Sequence, residues 1–511
     1  MSSVKKHYGF SAISRSLRPF LIGKGFRLVT SLTILVLLAR FLPQKQYAVY
    51  ISLQALVTIA GALSSVGIQQ VMLRYMPELR AAGNNSAMYR MLSVGMFLRV
   101  VVVSLFMLLA WPLTGWLGET FSIEQWLWVL PWYALVGLLR LTAMSLSQSL
   151  EALLWQKQAQ YSMAIGGMAR LVGMLIALQL GVMDLWAIVI IELCSEGLSL
   201  ALLLYGWFTQ RSSDELRQEG SLDWWSENKP RVFRFGAWSG LLNQTRILYG
   251  SAPNRLFAAH YLGTAELAVL GFADSLTNLA RRLMPARMLI SMIRPVFMAN
   301  YSSNQDFGQL VKMSNLVYRL NAGLLALPIV LLFVVGEPIF DWLTGGKYGM
   351  AAPILAGFLA LMIVEGMRSM LELLVQAVEK NQILLTNLIQ SVSLFLAIPL
   401  FEYVGLWALV IVNIVGTVSA NFAIIYLLKK YDFHYRVDVG LSLLIMVYAV
   451  IAGLAGWWML QTFGSYILSA VTIVMVYLLC MLVRLPLFDD EKEKLKLLMK
   501  NQFKSAKKAA A

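Results

Sequence analysis

ARFLPQKQYAVYISLQALV, residues 39–57, joins two apolar runs through a short polar turn around Pro43. Laid on AHYLGTAELAVLGFADSLT, residues 259–277, it keeps Ala39 on Ala259, Leu42 on Leu262, Ala48-Val49 on Ala268-Val269 and Leu56 on Leu276, with Phe41 on Tyr261. Further along, Arg140 falls on Arg368, Gln148 on Gln376 and Glu151 on Glu379, and Trp116-Leu117 meets Trp342-Leu343 after a short gap. One match between apolar helices can arise by chance, but matches that keep their order point to a duplication. The copies share one orientation, so they are related by an axis along the membrane normal, and a substrate path is expected between them.

The class follows from the runs around these turns. The chain has 511 residues, 59% hydrophobic and 14% charged, with a mean hydropathy of +0.68. A soluble surface of this size needs more charge. The apolar residues fall in runs of roughly 20, the length that crosses about 30 Å of hydrocarbon. The runs are continuous and do not alternate, which favours helices over a barrel. About fourteen spans are expected: 18–42, 47–73, 88–114, 124–149, 158–180, 184–208, 233–258, 264–286, 312–336, 351–377, 382–401, 405–428, 438–460 and 465–485. The expected fold is an all-α polytopic membrane protein. It has a six-helix lobe over 1–208, a cytoplasmic interfacial linker over 209–232 with Trp224-Trp225, a second six-helix lobe over 233–428, and an extra helix pair over 429–488. A cytoplasmic amphipathic tail follows over 489–511, and its last residues, AKKAAA, read equally well as native or as a cloning scar.

Charge sets the orientation. The net charge is +15, and alternate loops collect it: Arg74, Arg80 and Arg90; Lys229, Arg231 and Arg234; Arg287 and Arg294; Lys429, Lys430 and Arg436; then the tail from Lys492. Loops near Gly118–Glu124 and Gln461–Ser465 carry no cation. The positive-inside rule then puts both termini in the cytoplasm, and the expected location is the bacterial inner membrane. A basic surface also suits anionic lipid headgroups. The N-terminal cations precede no short cleavable apolar segment, so the first helix reads as retained. Cys194 and Cys480 lie in separate apolar runs, and three dispersed histidines form no cluster, so neither a disulfide framework nor a metal site is expected.

Three segments carry a family likeness: LARFLPQKQYAVYISL followed by SSVGIQQVMLRYMPEL (Leu38–Leu79), NRLFAAHYLGTAELAVLGFADSL (Asn254–Leu276), and GEPIFDWLTGGKYGMAAPILAGFLAL (Gly336–Leu361). The first two read as the helix–turn–helix opening each lobe, and the third as a Gly-rich periplasmic turn before the tenth helix. They resemble the Wzx-like polysaccharide flippases of the multidrug/oligosaccharidyl-lipid/polysaccharide (MOP) exporter superfamily. The resemblance implies two facing six-helix lobes, as in the MATE-like fold, and alternating access. It also implies a polyprenyl-diphosphate-linked oligosaccharide as substrate, serving O-antigen or exopolysaccharide synthesis. A polymerase and a chain-length regulator of the same pathway are the partners it suggests.

Ionisable residues inside spans cost at least about 2.5–3.5 kcal/mol each on insertion scales and mark function or helix pairing. Here they include Lys24, Arg27, Arg99, Arg140, Arg170, Glu192, Glu196, Arg246, Arg255, Asp274, Arg319, Glu365, Arg368 and Glu372. Cations dominate, and a guanidinium fits phosphate oxygens as a bidentate donor. Lys24, Arg27, Arg140, Arg246 and Arg255 are therefore the expected diphosphate-binding set. The competing reading pairs Arg140, Arg170 and Arg368 with Glu192, Glu196, Glu365 or Glu372 to hold helices together. Arg281 and Arg282 read as anchors at the cytoplasmic end. Glu192, Glu196 and Asp274 are candidates for coupling to a proton or sodium gradient; no other cofactor is expected. Glu192 and Glu196, four apart, repel when both are ionised.

No catalytic residue is assigned. A drug exporter of the same fold would bind organic cations, which the excess of arginines opposes. A glycan polymerase, ligase or glycosyltransferase would need acid/base or metal-binding carboxylates near the surface, and the external loops are short. A purely structural role in an export complex leaves the intramembrane arginines unexplained.

Overall fold

The computed structural model describes residues 10–81, 83–120, 124–153, 155–211, 223–245, 251–283, 306–378, 380–436 and 439–483. Every regular element among them is helical. In chain order these are α1 Phe10–Phe41, α2 Gln44–Leu63, α3 Ile68–Ala81, α4 Asn85–Ala110, α5 Thr114–Thr120, α6 Leu130–Ala152, α7 Gln156–Gln179, α8 Leu185–Arg211, α9 Asp223–Thr245, α10 Ser251–Tyr261, α11 Thr264–Leu283, α12 Phe307–Thr344, α13 Ala351–Ala377, α14 Asn387–Ser393, α15 Ala397–Val404, α16 Trp407–Lys430, α17 Val439–Phe463 and α18 Tyr466–Val483.

Among the described residues 11 helical stretches are long and apolar enough to cross a membrane. The other three expected spans are helical too, but charged. Span 18–42 lies in α1 with Lys24 and Arg27, and 233–258 is shared by α9 and α10. Span 264–286 is α11 up to Leu283, with Glu266, Asp274, Arg281 and Arg282. The tail from 489 lies outside the described residues, and α9 begins inside the expected linker.

Helix ends follow local chemistry. The Asn84 side chain accepts from the Ala87 N–H at 3.0 Å to start α4, and Asp306 accepts from Gln309 N–H at 3.1 Å to start α12; side-chain oxygens satisfy amides that lack an intrahelical partner. Gly345, with φ 69°, ends α12 in the left-handed conformation that glycine adopts without cost.

Two expectations change. The span 47–73 is not one helix. It breaks at Ser64–Gly67, where Val66 and Gly67 have φ of 36° and 78°. Arg99 of α4 holds the broken end, donating to the Gly61 carbonyl at 2.8 Å and to Ser64 Oγ at 3.2 Å. A guanidinium there meets the negative end of the α2 dipole. The turn also sits against α9: a Cβ on Gly67 would fall 1.9 Å from the Gly236 carbonyl oxygen. The second change is the end of the span 312–336, which runs on through GEPIFDWLT. The helix, α12, continues through Pro328 and Pro338 to Thr344, and the turn falls at Gly345-Gly346.

The chain forms two compact units, Met1–Phe272 and Ala273–Ala511. In the first, α1 packs on α7, α7 and α6 on α8, α3 on α4, and α10 on α2. Its apolar core runs from Met72, Tyr75 and Met76 of α3 through Met88 and Leu92 of α4 to Leu146 and Leu150 of α6. In the second, α12 packs on α13, α13 on α16, and the α17–α18 pair on α12. Tyr477 of α18 donates to the Gly323 carbonyl of α12 at 2.7 Å, tying the extra pair to that helix.

Candidate functional site

Inside the first unit, apolar helices enclose one continuous polar network. Glu192 and Glu196 stand one turn apart on α8, so both carboxylates face the same way. Arg140 of α6 meets both: Nη2 lies 2.8 Å from Glu192 Oε2 and Nε 2.8 Å from Glu196 Oε1. Glu192 is 0% exposed and has two further partners, the Arg170 guanidinium of α7 and the Tyr50 hydroxyl of α2 at 2.6 Å. That hydroxyl donates to Glu192 while accepting from Arg170 and from Gln54 Nε2 at 2.6 Å. One donor and two lone pairs are thus all used. Gln54 Oε1 in turn accepts from Arg255 of α10 at 3.4 Å. The repulsion expected between Glu192 and Glu196 is offset by the guanidinium lying between them.

Of the expected anion-binding set, the structure brings Arg140 and Arg255 into this network, alongside the expected acids Glu192 and Glu196. Arg27 is half-buried on α1. Lys24 lies on α1, but its side chain is outside the described part, and Arg246 is outside the described residues. Asp274 belongs to the second unit, where it is buried and the Asn278 amide donates to it at 3.4 Å. Tyr50 and Gln54 carry no charge and escaped the sequence reading. The signal for them was a polar pair at i, i+4 inside an otherwise apolar helix.

The second unit builds its polar contacts differently. Arg281, expected as an anchor at the cytoplasmic end, pairs with Glu365 of α13 at 2.9 Å and donates to Asn278. Arg368 lies 3.5 Å from Glu372 on its own helix and also donates to Asn387 of α14. Arg319 of α12 is 1% exposed. Near it the Tyr435 hydroxyl donates to Asn315 at 2.8 Å, and the Asn315 amide donates to the Arg436 carbonyl at 2.8 Å, fastening the loop between α16 and α17. Burial pushes the Tyr435 phenol up to about 12, so it remains a donor through the neutral range.

Among the described residues no group of three or more His, Cys, Asp or Glu could hold a metal ion.

A sequence model of the family described as "Polysaccharide biosynthesis protein" matches residues 37–353. The sequence matches no curated protein. Two solved structures share the fold. One is the lipid II flippase MurJ in an inward closed conformation: TM-score 0.61 and 12% identity, covering 91% of this chain and 98% of that one. The other is an inward-facing multidrug resistance MATE family transporter of the MOP superfamily: TM-score 0.56 and 14% identity, covering 83% and 98%. At these identities the likeness is one of architecture: an all-helical membrane protein with the MOP fold.

Proposed function

The chain belongs to the polysaccharide biosynthesis protein family, and on that premise we propose that it is a flippase for polyprenyl-diphosphate-linked oligosaccharide repeat units. It works by alternating access in the bacterial inner membrane, with both termini cytoplasmic, and serves surface polysaccharide or exopolysaccharide synthesis. It is no enzyme in this reading: the chain binds, moves and releases its substrate, and no bond is made or broken. A pathway polymerase and chain-length regulator receive its product.

The observation that carries this reading is the placement of Arg140 and Arg255 in one polar network inside the apolar helices of the first unit. Arginine in such a setting is costly unless it is used, and its planar fork matches the oxygens of a diphosphate. Lys24, Arg27 and Arg246 complete the proposed anion-holding set. The carboxylates of Glu192, Glu196 and Asp274 are proposed to couple movement to a proton or sodium gradient, by exchanging charge as the anion arrives and leaves.

The test is translocation of a labelled polyprenyl-diphosphate oligosaccharide in proteoliposomes, scored by the glycan reaching the opposite face. Wild type should move it. Folded Lys24→Ala/Arg27→Ala and Arg255→Ala proteins should lose at least tenfold in rate, about 1.4 kcal/mol in the barrier to translocation. No movement by wild type with several such glycans would refute the flippase reading. Glu192→Gln/Glu196→Gln/Asp274→Asn protein, checked for folding, should move substrate without regard to imposed gradients; retained gradient dependence removes the coupling role.

A further inference from the structure

The first unit carries an organised group of cations that the substrate reading does not use. Arg74 of α3 and Arg231 of α9 approach a single carboxylate: their Nη1 atoms lie 3.3 and 3.2 Å from the two oxygens of Glu78. Both guanidiniums also lie over the Tyr75 ring, at 5.8 and 5.2 Å. That ring is itself fixed edge-on by Trp224 at 6.0 Å and Phe235 at 5.6 Å. Stacking on a held ring restricts the arginines before any ligand arrives.

The arginines remain open to the outside, with side chains 54% and 53% exposed. Each guanidinium has five N–H donors; Arg231 gives one to Glu78 and Arg74 only pairs with that carboxylate at 3.3 Å, so Glu78 uses few of them. Lys229 and Arg234, also exposed, extend the group along α9. Four cations thus face two carboxylates, Glu78 and Glu227, so the strip keeps a positive excess. Within the same stretch of α9, Phe233 is 78% and Trp238 60% exposed. Trp238 lies about 6 Å further along the axis than Arg234.

We propose that this strip, Arg74 with Lys229, Arg231 and Arg234, is a docking surface for the headgroups of anionic phospholipids in the leaflet it faces. Along α9 the cations come first, at the level of the phosphate, and the exposed Trp238 ring follows them, at the level of the first acyl carbons. The positive-inside rule accounts for cations at this end of the helices, but not for two arginines converging on one oxyanion position over a fixed aromatic ring. The Glu78 carboxylate shows that an oxyanion can bridge them. An acidic protein or a nucleic acid would meet the cations but leave the exposed rings without a role.

The test uses full-length protein in bilayers of phosphatidylcholine and phosphatidylglycerol. After graded delipidation, the phosphatidylglycerol retained per protein is measured by mass spectrometry. Wild type should retain it preferentially. Arg231→Gln/Arg234→Gln should lose at least about fivefold of that preference, near the effect of one surface cation, while Arg231→Lys/Arg234→Lys should keep most of it. Lys45→Gln, a loss of charge at the far end of α2, should change nothing and controls for net charge. The proposal is overturned if the glutamine variant retains phosphatidylglycerol like wild type, or if Lys45→Gln loses as much. It is also overturned if the strip captures a polyprenyl diphosphate in preference to phosphatidylglycerol.

Discussion

Around Arg140 three other helices contribute: α8 gives Glu192 and Glu196, α7 gives Arg170, and α2 gives Tyr50. Around Arg368, which occupies the matching place in the sequence repeat, the carboxylate comes from one turn further along the same helix, with Asn387 of α14 added. The difference teaches what a membrane arginine costs. A guanidinium whose carboxylate lies on its own helix ties helices together only through a neutral partner, here Asn387. One shared by carboxylates of another helix ties the two together, and removing any member leaves a buried charge behind.

The largest expected effect breaks that contrast directly. Glu192→Ala strands Arg140 and Arg170 among apolar helices and should cost about 3–5 kcal/mol. Glu372→Ala removes an i, i+4 partner 3.5 Å from Arg368, which keeps Asn387, and should cost less, about 1–2 kcal/mol. Thermal unfolding of both in the same detergent measures the pair, and equal losses would show that the two neighbourhoods are equivalent. Next comes a test of geometry. Arg140→Lys keeps the charge but cannot reach Glu192 and Glu196 at once, so about 1.5–3 kcal/mol should go with the lost charged hydrogen bond. Arg368→Lys should be tolerated within about 1 kcal/mol.

A smaller effect sharpens the comparison. Tyr50→Phe removes the donor to Glu192 and the acceptor for Arg170 and Gln54, at an expected cost of about 1–2 kcal/mol. Tyr435→Phe, which removes the donor to Asn315 of the second unit, should cost about 1 kcal/mol or less. A cycle of Tyr50→Phe with Arg170→Gln should show coupling of at least about 0.5 kcal/mol, because the two share a partner. Additive losses would mean that the hydroxyl and the guanidinium serve Glu192 independently.

Much of the architecture was legible beforehand. Apolar runs of the right length marked the spans, and the 11 apolar helices fall where such runs lie. The three charged spans were legible as well, since α1, α9–α10 and α11 lie where they were expected. The break at Ser64–Gly67 was not. SSVG lies within a stretch apolar enough to read as one helix, and what stabilises the break is Arg99 from the next helix. The length of α12 was hidden for the opposite reason. Gly336 and Pro338 both disfavour a helix interior, yet both are accommodated within a long helix, and the Gly345-Gly346 pair ends it.

At the site, Arg140, Arg255, Glu192 and Glu196 could be picked out because charge inside an apolar run is visible in one dimension. Arg170 was visible too, as a candidate for pairing. Tyr50 and Gln54 were hidden, because a neutral hydroxyl or amide in a helix gains meaning only from what lies beside it.

The amino-acid sequence by itself determined that this protein is a helical membrane protein with cations collected in alternate loops and a duplicated helical layout. Those properties come from the transfer of whole segments between water and lipid, which depends on composition and length alone. Only the tertiary structure decided which charges meet. It set Arg140 between two carboxylates and Arg368 against its own helix, and placed Arg99 at a broken helix end and two arginines over Tyr75. Such contacts act over about 3–6 Å, between residues as far apart in the chain as Glu78 and Arg231, 153 positions, or Gln54 and Arg255, 201 positions. No pattern along the chain encodes a separation that only folding closes.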